Sequence, residues 1–149
     1  MPNFAQVMQL QYTRQVIDEV MRLYPPAWTV GRENLEDDEP DGWRIPKGSF
    51  VLIPIYIFHH NPKFWPDPER FDPDRFSPEA SKNRPKFHYF PFGAGPRMCI
   101  GNQFALMEMQ LILAMLAQRF TFEVDQSHPI QKQPLITLRS KYGVKLFVK

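Results

Sequence analysis

The residues best placed to do chemistry lie in one short stretch, Phe92-Gly93-Ala94-Gly95-Pro96-Arg97-Met98-Cys99-Ile100-Gly101, which holds the chain's only cysteine. Glycines at 93, 95 and 101 allow backbone geometries that other residues resist, and they let a flat ligand come close to the main chain. Cys99 falls where a long helix is predicted to start. Unpaired amide groups and the helix dipole at such a position stabilise a thiolate. Three uses of that sulfur are open. It can be a small buried hydrophobe, the commonest fate of a lone cysteine. It can be a nucleophile, which needs a base, yet His59, His60, His88 and His128 show no nucleophile–base signature toward it. It can also be the axial ligand of an iron-porphyrin, a reading that uses the glycines, the helix start and the cationic Arg97, which would meet a propionate.

The elements that must hold this loop can be read from periodicity. From Gln9 to Tyr24, the apolar residues Leu10, Ile17, Val20, Met21 and Tyr24 recur at three-, four- and seven-residue spacings and predict an amphipathic helix. Pro25-Pro26 must end it. Thr29 to Arg32 and Trp43 to Ile45 are predicted as short strands on either side of the acidic loop Glu36-Asp37-Asp38-Glu39. Phe50 to Tyr56, apolar and β-branched, is predicted as a buried strand. From Asn61 to Pro91 prolines arrive every few residues among many aromatics, which predicts a packed coil without regular structure. Ile100 to Phe120 predicts a helix that is apolar on nearly all sides, hence one buried in something larger. Phe120 to Val124, Leu135 to Leu138 and Val144 to Val148 are predicted strands, the last two joined by a turn at Lys141-Tyr142-Gly143.

Composition narrows the classes. A chain of 149 residues that is 43% hydrophobic and 14% aromatic can bury a core, which excludes a disordered tail. The net charge of +2 gives no argument for nucleic acid as a partner. One cysteine excludes a disulfide scaffold and any multi-cysteine zinc site. The longest apolar run, Leu111 to Ala117, is far short of the roughly 20 residues of a membrane span. Met1-Pro2-Asn3-Phe4 shows no leader pattern. These features lead us to expect a soluble, cytoplasmic protein with no membrane span in this chain. Proline is the outlier: 16 residues, 13 of them between Pro25 and Pro96 and none from Arg97 to His128, divide the chain into its helical and coil segments.

Phe92, Gly95, Arg97, Cys99 and Gly101 match, at every fixed position, the pattern Phe-x-x-Gly-x-Arg-x-Cys-x-Gly, and on this loop the chain resembles the cytochrome P450 haem-thiolate family. Glu19-Val20-Met21-Arg22, followed by Leu23-Tyr24-Pro25-Pro26, is similar to that family's Glu-x-x-Arg helix. Alone, such a pair would be a surface ion pair of a few tenths of a kcal/mol. The family completes it with an arginine from the coil before the cysteine loop. Two candidates occur here, Arg70 in Pro68-Glu69-Arg70-Phe71 and Arg75 in Pro73-Asp74-Arg75-Phe76. The letters favour the first; the spacing from Trp65 through Phe71 to Phe76 favours the second, so Arg75 is the expected partner of Glu19 and Arg22.

The resemblance implies a mainly α protein with a smaller β portion (α+β), corresponding to the C-terminal portion of that fold: the proximal haem side plus a small β-sheet, residues 1–149 forming one partial domain. It implies haem as cofactor, with Cys99 as iron ligand and Arg32, Phe92, Gly95, Arg97 and Gly101 around it. Phe92 would pack near the sulfur, and His59 would be a hydrogen-bonded structural histidine. It implies a monooxygenase that inserts one oxygen atom from O2 into a small organic substrate, with Trp28, Thr29, Val30, Thr137 and Leu138 at substrate-facing positions. An electron-donor protein (ferredoxin, flavodoxin-type or reductase) would dock on the proximal face, and Lys82, Arg84 and Lys86 are the candidates to steer it. The family's distal helix with its acid–alcohol pair has no counterpart: the threonines are Thr13, Thr29, Thr121 and Thr137, none beside an acid on a central helix. Exposed apolar faces and an isolated chain without turnover are therefore expected. The alternative is a non-catalytic remnant or binding module that keeps the motifs.

Overall fold

The computed structural model describes residues 4–149; Met1-Pro2-Asn3, read above for a leader, lies outside the described residues. Two helices and the loop between them make the frame. Helix α1 (Phe4–Met8) leads into α2 (Gln11–Leu23), which stops ahead of Pro25. Helix α5 (Asn102–Ala117) packs across both. Ile17 and Met21 of α2 meet Leu106 of α5, with Tyr89, Phe92 and Met109 packed against them, so the cysteine loop is seated on the join. Leu106, Gln110 and Ala114 recur at four-residue spacing and form the buried stripe of α5. Gln110 Nε2 donates to the carbonyl of Val7, which ties α1 to the same stripe.

The rest of α5 overturns the expectation of a helix buried all round: Phe104, Leu111, Ile112, Leu113 and Leu116 are exposed, and Ile100 just before the helix is wholly so. Large apolar faces are therefore bare, as the partial fold implied.

Among the described residues the β portion is three separate two-stranded antiparallel ribbons. Strand β1 (Val30–Glu33) pairs with β2 (Phe50–Ile53), Arg32 opposite Val51. β2 ends earlier than expected because Pro54 starts a short helix, α3 (Ile55–His59). Nor is β2 a buried strand: Phe50 and Leu52 are exposed, although the Phe50 ring lies over Gly31 of β1. The predicted strand Trp43 to Ile45 reduces to a single bridge between Asp38 and Ile45, after a turn at Pro40–Gly42. Helix α4 (Pro78–Ser81) is a single turn capped by the Ser77 hydroxyl. Strand β3 (Phe122–Val124) pairs with β6 (Leu146–Val148), while β4 (Lys132–Pro134) pairs with β5 (Leu138–Ser140). The expected hairpin of Leu135 to Leu138 with Val144 to Val148 is thus corrected. Leu135–Thr137 is a hairpin tip, and β5 turns back on β4, a strand that its polar letters concealed.

The coil from Asn61 to Pro91 is packed, as its aromatics demanded. Trp65 is buried, Phe76 and Tyr89 meet edge to face at 4.6 Å, and Tyr89 stacks on His59 at 5.2 Å.

Candidate functional site

Gly93 and Gly95 both take positive φ, 74° and 71°, so the cysteine loop doubles back in a way only glycine allows without strain. The Gly93 amide donates to the Phe90 carbonyl at 2.9 Å, and the Cys99 amide donates to the Phe92 carbonyl at 3.0 Å. These two bonds close the loop. Helix α5 begins only at Asn102, so Cys99 stands before the helix and not on its first turn, a correction that the capping residue Gly101 explains. The sulfur is exposed and unpaired. A Cβ built on Gly101 would sit 4.0 Å from it, an ordinary contact, so Gly101 lies directly beside the sulfur.

A cleft of about 420 Å³ opens at this sulfur. Its walls are mostly apolar, from Met21, Pro26, Val30, Pro91, Phe92 and Met109, and two guanidinium groups, Arg32 and Arg97, line it. The Arg32 guanidinium donates to the Gly31 carbonyl, and Arg97 is exposed. Gly95 and Gly101 belong to the loop but do not line the cleft. Among the described residues no group of three or more His, Cys, Asp or Glu side chains converges for a metal. Glu108 also lines the cleft, so its charges are two cations and one carboxylate. With one soft sulfur and an apolar slot, they suit a flat metal chelate that brings its own equatorial donors and carries acidic groups for the two arginines. They suit a bare ion poorly.

Behind the loop is a buried ion pair. Glu19 and Arg22 are both 0% exposed. Arg22 Nε and Nη2 donate to Glu19 at 2.7 and 2.8 Å. Its remaining N–H groups donate to the carbonyls of His59 (2.8 Å), Pro68 (2.7 Å) and Arg70 (3.3 Å). All five donors of the guanidinium are used. Glu19 Oε1 also accepts from the Asp72 amide at 2.9 Å and lies 3.6 Å from Arg75 Nε. Arg75 is 12% exposed and donates through Nη2 to the Asp67 carbonyl. Arg70 contributes only its carbonyl; its guanidinium, 68% exposed, stands 3.7 Å from Asp72. The structure thus brings Glu19, Arg22 and Arg75 together and leaves the Arg70 side chain outside.

Other predicted positions divide. Arg84 is turned inward, its guanidinium held over Trp65 and Phe76 at 4.7 and 4.5 Å and donating to the Arg75 carbonyl. That corrects its place among the free surface cations; Lys82 and Lys86 remain exposed. Trp28 Nε1 donates to the Leu135 carbonyl and the Leu138 amide to the Pro26 carbonyl, so the β4–β5 hairpin lies against the segment after α2. Val30 reaches the cleft; Thr29, Thr137 and Leu138 do not line it. His59 is fully buried, with Nε2 accepting from the Phe90 amide at 3.1 Å. Burial, with His60 and Arg22 close by, pushes its pKa down to about 3. Sequence reasoning missed the carbonyls of Pro68 and Arg70, and Tyr89, whose hydroxyl donates to Asp18 at 2.9 Å. No spacing in the sequence marks a backbone acceptor.

Known proteins share the sequence and the fold of this chain. Cytochrome P450 4B1 of Rattus norvegicus is 44% identical over 142 residues, which cover 95% of this chain and 28% of that protein. Cytochrome P450 3A7 of Homo sapiens is 45% identical over 142 residues, covering 95% of this chain and 27% of that protein. The solved cytochrome P450DA heme domain matches with a TM-score of 0.92 at 30% identity, over 100% of this chain and 33% of that one. The chain therefore spans about a third or less of the length of these proteins. Proteins of the family that they represent bind haem, iron protoporphyrin IX. With a family model described as Cytochrome P450 matching residues 1–146, the chain belongs to the cytochrome P450 family.

Proposed function

We propose that this chain is the haem-proximal portion, a single partial domain, of a cytochrome P450 monooxygenase. The observation that carries the reading is the cleft in which Cys99, Arg32 and Arg97 meet. In it the Cys99 thiolate would hold the iron, and the two guanidinium groups would face the propionates, for which a planar permanent cation is well suited. Phe92 forms part of the apolar wall of the cleft beside Cys99, where it would pack near the sulfur once the ligand covers it. Gly93 and Gly95 take the positive φ that turns the loop back on itself, so that its main chain would come close to the group. Haem bound through a thiolate supplies oxygen activation, the sulfur pushing electron density toward O–O cleavage, so that one oxygen atom enters an organic substrate.

The chain's own part is to seat that group. The Glu19–Arg22–Arg75 cluster fixes the proline-rich coil, and the coil fixes the loop. Trp28, Thr29, Val30, Thr137 and Leu138 are proposed to face a small organic substrate. Lys82 and Lys86 are proposed to steer an electron-donor protein by charge. Among the described residues no helix is long and apolar enough to cross a membrane; a cytoplasmic setting is proposed. The isolated chain is proposed not to turn over.

One observation favours a second reading, a remnant that keeps the motifs without loading haem: the bare apolar face of α5. Reducing the purified chain with haem under carbon monoxide separates the two. A thiolate complex places the Soret band well to the red of a histidine complex, and Cys99→Ser is expected to abolish that band. An unchanged band and unchanged uptake in Cys99→Ser would overturn the assignment, and failure of the native chain to take up haem would establish the remnant.

A further inference from the structure

His59 joins the two halves of the site. Its carbonyl accepts from Arg22 Nη1 at 2.8 Å, and its ring Nε2 accepts from the Phe90 amide at 3.1 Å. Phe90 in turn accepts from the Gly93 amide, and Phe92, two residues on, accepts from the Cys99 amide. A hydrogen-bonded series therefore runs from Glu19 and Arg22, through one residue of α3, into the loop that presents the sulfur. The ring is held by Tyr89 and Phe90, with centroids at 5.2 and 5.5 Å.

The tautomer bears on what this residue is for. A neutral imidazole whose Nε2 accepts must carry its proton on Nδ1. Nδ1 is buried and makes no hydrogen bond of good geometry among the described residues, but the backbone carbonyls of Met21 and Arg22 lie toward the ring and favour a proton there. The bond to Phe90 on one side and those carbonyls on the other select the same tautomer.

We propose that His59 is a positioning residue: through its Nε2 acceptor it holds the Phe90–Cys99 loop in register with the buried Glu19–Arg22 pair, and so sets the place of the sulfur. Its meaning for haem rests on the reading given under Proposed function, but the coupling itself can be read without haem. The experiment uses the full chain, 15N-labelled, as the native protein and as His59→Gln and His59→Leu. Glutamine offers an oxygen near the place of Nε2; leucine offers none.

Nitrogen shifts of the native ring are expected to show the proton on Nδ1 and a pyridine-type Nε2 at neutral pH; a proton on Nε2 would overturn the proposal. Amide exchange at Phe90, Gly93 and Cys99 is expected to quicken about tenfold in His59→Leu, the scale of one lost hydrogen bond, with the amides of α2 unchanged. His59→Gln is expected to restore most of that protection. Equal exchange in all three proteins, or loss that glutamine does not rescue, would overturn it. If His59→Leu does not fold, the tautomer and the glutamine variant still decide. In haem-loaded protein the leucine variant is expected to bind haem about tenfold more weakly; equal affinity would also overturn the proposal. A native chain that takes up no haem would defeat the reading above, while the exchange result would still stand on its own.

Discussion

Glu19 is a carboxylate with no access to water, and every partner it has comes from a nitrogen. Two are Arg22 donors one helical turn away, one is the Asp72 amide, and the fourth is the Arg75 side chain at 3.6 Å. Removing one partner of a buried charge costs more than the pair contributes, because the remaining charge keeps its desolvation penalty. Arg75→Ala removes a cation 3.6 Å from the buried carboxylate, too far for a hydrogen bond, and the Nη2 bond to the Asp67 carbonyl. It is expected to lower the unfolding free energy by about 1–2 kcal/mol. Arg70→Ala, which leaves its carbonyl on Arg22, should stay within about 0.5 kcal/mol, as exposed pairs do. Urea midpoints at constant slope test this, and equal losses for the two would contradict it. The letters Pro-Glu-Arg-Phe point to Arg70 and the spacing from Trp65 through Phe71 to Phe76 points to Arg75; the side-chain positions follow the spacing, because the turn at Pro73–Phe76 starts from Asp72, whose amide already binds Glu19. What no letter could tell is that Arg84 would lie inward over Trp65, since a cation beside aromatics reads the same in a list whether it is stacked or solvated.

Elements were legible where the chain punctuates itself. Helix α2 has a period and a double proline behind it, and α5 has a long proline-free stretch, so both were found close to their limits. The ribbons were not, because a strand is defined by its partner. Leu138–Ser140 could pair with either neighbour, and only the fold shows that it takes Lys132–Pro134. Helix α3 was hidden inside an apolar run that Pro54 divides. Its last residue, His59, gives this element a pH response. The groups facing its ring are His60 on the same turn, Arg22 from α2 and Tyr89 from the coil. Burial, with His60 and Arg22 close by, pushes the pKa of the folded ring down to about 3 from the ordinary 6.5. Between those values the unfolded chain binds a proton that the folded chain refuses, so stability is full above pH 6.5 and declines as pH falls toward 3. The loss from this residue is of order a few kcal/mol. Unfolding free energies from pH 7 to 4 are expected to fall more steeply in the native protein than in His59→Gln; parallel curves would count against it.

The whole molecule shows a buried polar centre and a bare apolar side. Ile112 and Leu116 lie one turn apart on the exposed face of α5, beside Leu113. Faces of this kind drive association when nothing covers them. Sedimentation is expected to show a molecular weight that rises with protein concentration, and Ile112→Lys with Leu116→Lys should hold the chain closer to 17.6 kDa. A native chain that stays monomeric at high concentration would contradict this. The same contrast gives the interior a clock. With every guanidinium proton of Arg22 engaged inside a dry shell, local breathing at the rim does not bring solvent to them. Their turnover with heavy water should keep time with complete opening of the frame, and so report how long the native state lasts.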